Sequence, residues 1–167
     1  MLKTTKKLAM AGIVGALYVA LSMVAFPVAS GFIQFRVGEA LTILPLLFPE
    51  TAVGLFIGCA LTGLITACPV IDIVFGSLVT LLSGVLTAVI GKKIKKVGLK
   101  FFLGGLFPVI LNAVFLPLIW YWCYGKLEMV YLLQSVSLLI SQSVAVYGVG
   151  AIVYFSIKKI NEKKPFN

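Results

Sequence analysis

A chain of 167 residues that is 61% hydrophobic and 11% charged, with a mean hydropathy of +1.14, is too apolar for a water-soluble domain and points to lipid as its solvent. The excess of 14 Lys and Arg over 5 Asp and Glu does not read as a nucleic-acid face, because the basic residues fall in short clusters between apolar runs. His is absent, and Cys59, Cys68 and Cys123 are scattered without a CxxC or Cys/His pattern, so zinc, haem and other metal or cofactor sites find no support.

In chain order, Lys3, Lys6 and Lys7 precede the apolar run 8–28, LAMAGIVGALYVALSMVAFPV. Its length gives about 30 Å of helix, a full membrane span. It is too long for a signal peptide and ends without a small-residue cleavage site. The next apolar stretch is broken by Pro45, Pro49 and Glu50, predicting a short helix at 38–48 and a second at 51–67. Residues 71–91 form a further span with a single charge, Asp72, near its start, and 100–123 and 129–157 complete the set.

Charge asymmetry sets the number of crossings, since cytoplasmic loops are enriched in Lys and Arg. The basic clusters are Lys3, Lys6 and Lys7, then Lys92, Lys93, Lys95, Lys96 and Lys100, then Lys158, Lys159, Lys163 and Lys164. Placing all of them on one side requires an even number of crossings between the first two clusters, and therefore requires 38–48 to cross. As an α-helix that segment reaches only about 17 Å, so it has to be shielded by its neighbours or meet a deep loop. The expectation is an all-α integral membrane protein of the cell membrane, one domain with six transmembrane helices and both termini cytoplasmic. Only Arg36 and Lys126 then remain outside.

Ionisable groups at membrane depth are functional candidates by default. Arg36, Glu39 and Asp72 gather at the outer side on this topology, although an i,i+3 ion pair and a helix N-cap would account for them locally. Glu50, after Pro49, suits a helix N-terminus. Asn112 in the fifth span, and Gln134, Ser137, Ser141 and Gln142 in the sixth, suit interhelical hydrogen bonding, with ligand contact as the alternative for Asn112 and Gln134. Trp120, Tyr121, Trp122, Tyr124 and Tyr131 fit an interfacial aromatic belt, one member of which is free to stack on a planar ligand. Gly12, Ala16 and Ala20 form a small-residue stripe that admits another helix closely. A nucleophile–base pair with His and a Walker sequence are both missing, so any ATP-driven step belongs to another chain.

The segments FRVGEALTILPLLFP at 35–49, GLFIGC at 54–59 and DIVFGSLVTLL at 72–82, in this order and spacing, resemble the substrate-binding S components of energy-coupling factor (ECF) vitamin transporters. The likeness is to the QueT type, assigned to queuosine precursors. Thr62 and Gly63 depart from it, standing where many relatives carry an Asn. The resemblance implies a six-helix S-component bundle with an outward pocket and no enzymatic activity of its own. It also implies Gly12, Ala16 and Ala20 as the docking stripe for a transmembrane coupling (T) subunit that carries two ABC ATPases.

The implied ligand is a 7-deazaguanine: 7-cyano- or 7-aminomethyl-7-deazaguanine, or queuine. Glu39 or Asp72 suits its adjacent N–H and NH2 groups, Asn112 or Gln134 its carbonyl, and Phe35 or Trp120 its ring face, with Arg36 orienting the carboxylate. The alternatives are an S component for pantothenate, thiamine or folate, a self-sufficient channel, and, least favoured, a membrane-embedded enzyme.

Overall fold

The computed structural model describes residues 2–29, 36–124 and 128–163. Their regular elements are all helical: α1 (Leu2–Ala29), a 3₁₀ helix (Val37–Leu46), α2 (Thr51–Ile65), α3 (Val70–Lys93), α4 (Val97–Tyr124), and α5 (Glu128–Ser143), which runs through a π segment (Val144–Val149) into α6 (Gly150–Lys163). Among the described residues, four helices are long and apolar enough to cross a membrane: Thr4–Ala25, Val70–Lys93, Val97–Trp122 and Tyr131–Lys163. Large apolar side chains such as Val24, Val70, Trp122 and Ile152 face outward. Ser77, Thr80, Ser83 and Thr87 face inward, an arrangement suited to a lipid surround.

The 3₁₀ helix is the hub, touching α1, α2, α3, α4, the π segment and α6. Every residue from Gly38 to Leu46 is buried, so shielding by neighbours, one of the two arrangements expected of this short segment, is present. Its helix type differs from the α-helix expected there. Pro45 supplies no N–H, and the Thr42 hydroxyl donates to the Glu39 carbonyl at 2.6 Å. At about 2.0 Å per residue, its 10 residues extend about 20 Å rather than 17 Å.

Small residues bring α1 and α2 together. A Cβ on Gly15 would lie 2.7 Å from the Gly54 carbonyl oxygen, and one on Gly58 would lie 2.8 Å from that of Gly15. The helix pair therefore meets through backbone, with Ala11, Gly15, Gly54 and Gly58 at the seam. In α4, Pro108 cannot donate to the Gly104 carbonyl one turn earlier, and the Thr87 hydroxyl of α3 donates to it instead at 2.9 Å. On the long final helix, the π segment lies against the 3₁₀ helix, where a Cβ on Gly150 would come 2.9 Å from the Ala40 carbonyl oxygen. Single-turn π segments inside α-helices often mark functional positions.

Candidate functional site

The start of the 3₁₀ helix carries Glu39 into the middle of the bundle, where it is 0% exposed. The Tyr18 hydroxyl of α1 donates to its Oε1 at 2.6 Å, and the Asn112 amide of α4 donates to Oε2 at 3.1 Å. Arg36, one 3₁₀ turn earlier, places Nε 3.9 Å from Oε1 and turns Nη2 toward Cys59 Sγ of α2 at 3.9 Å. The i,i+3 pairing expected from the sequence is present, but its carboxylate lies in the interior, tying α1 and α4 to the hub. Because a carboxylate only accepts, its contact with Asn112 fixes the amide orientation. The Asn112 nitrogen faces Glu39, and Oδ1 is left buried without a partner among the described residues.

Asp72 belongs to the first turn of α3, whose N-cap position is held by Pro69. It is not the cap, and instead accepts the Trp120 indole N–H of α4 at 3.2 Å on Oδ1. Both residues are half-buried, and Oδ2 has no hydrogen-bond partner among the described residues. Glu50 stands at the N-terminus of α2 without making a side-chain cap bond.

Gln142, in the last turn of α5, is 1% exposed, and neither its amide nitrogen nor its amide oxygen has a partner among the described residues. One turn before it, Leu138 packs with Ala113 and Leu116. One turn after it, Val146 packs with Ile43 and Val109. Gln142 therefore faces α4 and the 3₁₀ helix at the depth of Asn112, which lies between Val109 and Ala113. Gln134 occupies the same face two turns earlier. It is half-buried, and no hydrogen bond joins it to the Glu39 cluster.

The structure thus brings Arg36, Glu39 and Asn112 into one cluster and joins Asp72 to Trp120, while Gln134 stands apart. Phe35 lies outside the described residues. Tyr18 and Cys59 belong to the interior cluster and Gln142 lies at the depth of Asn112, and none of the three stands out in the sequence as a binding residue. Tyr18 carries the only side-chain hydroxyl between Thr5 and Ser22, and that isolation in an apolar helix was the available signal. Gln142 stood out only as a polar residue suited to helix pairing.

On α1, Gly12, Ala16 and Ala20 are exposed, and a Cβ added at Gly12 meets nothing within 4 Å. The neighbouring register, Ala11 and Gly15, is the one used against α2.

A family model described as QueT transporter matches residues 8–159. No curated relative and no solved structure matches the chain.

Proposed function

The chain belongs to the QueT transporter family, and from that premise we propose that it is the membrane substrate-binding S component of an ECF-type importer for a queuosine precursor. The ligand is a 7-deazaguanine base captured at the outer face. The observation that carries this reading is a set of polar atoms left without partners in an apolar bundle, Asn112 Oδ1 and the Gln142 amide, close to the carboxylate-bearing elements. Buried polar groups are almost always satisfied, so a cluster of unsatisfied ones is matched to a polar ligand.

The two carboxylates take different parts. Both Glu39 oxygens already accept from the protein, so Glu39 organises the site from within. Asp72, held by Trp120 on one oxygen, offers the other to the ligand's adjacent N–H and NH2 groups. Asn112 Oδ1, fixed as an acceptor, takes a further N–H, and Trp120 borders the ring.

The chain crosses the membrane six times with both termini cytoplasmic, a topology supported by the bias of basic residues toward the inner connections. It hydrolyses no ATP itself. A transmembrane T subunit and two ABC ATPases supply that step, and the exposed stripe of Gly12, Ala16 and Ala20 is the face offered to the T subunit.

Isothermal titration of the detergent-purified chain tests the substrate. Saturable binding of 7-aminomethyl- or 7-cyano-7-deazaguanine or queuine is expected, with guanine and a panel of pantothenate, thiamine and folate binding more weakly or not at all. A vitamin that binds in place of the deazaguanines sinks the queuosine assignment. For the partner, Ala16→Leu is expected to leave ligand affinity unchanged while abolishing co-purification with a co-expressed coupling module. Retained co-purification would move the docking face elsewhere.

A further inference from the structure

We propose that Gln142 is a specificity-determining residue of this site, its side-chain N–H reading the ring carbonyl of a lactam-type heterocycle. The inference rests on the substrate reading above and adds to it a buried donor without a partner at the depth of Asn112. The structure has no shortage of acceptors, in Asp72 Oδ2 and Asn112 Oδ1. Its donors are largely committed. Tyr18 O–H and the Asn112 amide N–H serve Glu39, Trp120 N–H serves Asp72, and the Arg36 guanidinium lies against Glu39 and Cys59.

The buried donor groups without partners among the described residues are the Gln142 amide and the Ser135 hydroxyl. Ser135 lies seven positions earlier on the same helix, about 10 Å away along its axis, toward the end of α4 that carries Trp120 rather than at the depth of Asn112. Gln142 alone is level with Asn112, because its neighbours one turn to either side pack against the residues that bracket Asn112.

A carboxamide buried at this depth with both atoms unpaired is costly to the empty protein. It is satisfied by a planar ligand that offers a carbonyl to the Gln142 nitrogen while presenting N–H groups to Asp72 and Asn112. A ring with an amino group in place of that carbonyl offers the wrong polarity to Gln142, and its adjacent ring nitrogen turns a lone pair toward the carboxylate. The discrimination is therefore between 6-oxo and 6-amino rings, and it uses hydrogen-bond polarity rather than shape.

The test is Gln142→Met, which keeps an unbranched side chain of similar length and removes both polar atoms. Two readings are taken on the full chain in detergent: the melting temperature without ligand and the affinity for 7-aminomethyl-7-deazaguanine. The expected result is a ligand-free melting temperature equal to or above the parent's, because an unsatisfied polar group has gone, together with binding about ten- to a hundredfold weaker. A residue serving only internal packing would give the reverse, a lowered melting temperature with unchanged binding. Either of those two outcomes overturns the inference while leaving the substrate reading intact. If the parent chain binds none of the deazaguanines, the substrate reading falls and this inference falls with it.

Discussion

Replacing Asp72 with Asn is expected to weaken deazaguanine binding by roughly a hundredfold while leaving the melting temperature of the empty protein within a few degrees of the parent. The two effects separate because Asp72 divides its labour. Its Oδ1 accepts the Trp120 indole N–H at 3.2 Å, and an asparagine Oδ1 accepts the same bond, so the local geometry of α3 and α4 survives. The other position changes from an acceptor to an NH2 donor aimed at the ligand's own donors. Hydrogen bonds to a charged group contribute about 1.5–3 kcal/mol each. Losing one and opposing another therefore costs on the order of 3 kcal/mol, or roughly a hundredfold in Kd. The half-buried position also means that little internal structure depends on the charge. Titration paired with thermal unfolding reads both quantities, and affinity kept within about threefold would remove Asp72 from the site.

Much of this architecture is legible in the sequence because apolar run length is a strong signal in lipid. Helices lie close to the edges of the apolar segments, and Asn112 meets Glu39 from 73 positions away, whereas Asp72, expected beside Arg36 and Glu39, bonds Trp120 instead. What the sequence does not disclose follows from the same apolarity. A helix that is hydrophobic all round has no periodicity to say which face is inside, so nothing in the pattern corrects the preference for Gln134 over Gln142, eight positions further on. Only the packing of Leu138 and Val146 distinguishes them.

The two small-residue registers of α1 are likewise adjacent in sequence. Gly12, Ala16 and Ala20 are legible as a docking stripe, but that Ala11 and Gly15 meet Gly54 and Gly58 depends on the partner helix. The 3₁₀ character of Val37–Leu46 escapes because Pro45 reads in the sequence as an interruption rather than as a helix type, and because burial among six other elements is a tertiary fact. The commitment of both Glu39 oxygens to protein donors is also a tertiary fact. From sequence alone, Glu39 and Asp72 are interchangeable candidates.

Glu39→Ala is expected to be the most damaging single substitution in the interior, lowering stability by about 3–5 kcal/mol, the range for removing one partner of a buried charge pair. The carboxylate is 0% exposed and meets three groups at once: the Tyr18 hydroxyl, the Asn112 amide and the Arg36 guanidinium. Truncation strands all three in an apolar surround, where an unpaired charge is far more costly than an unpaired hydroxyl. Because these groups come from α1, α4 and the start of the 3₁₀ helix, the hub loses its ties to two neighbours, and ligand binding should fail along with stability. A graded series distinguishes this from a simple packing defect. Glu39→Gln keeps the side-chain shape and one acceptor and should lose less than Glu39→Ala. Tyr18→Phe, which removes a single donor from a carboxylate still bonded to Asn112, should cost about 1–2 kcal/mol. Thermal unfolding in detergent ranks the three. If Glu39→Ala melts no lower than Tyr18→Phe, the buried carboxylate is not what holds the hub in place, and the assignment of Glu39 as organiser and Asp72 as the ligand's carboxylate would have to be exchanged.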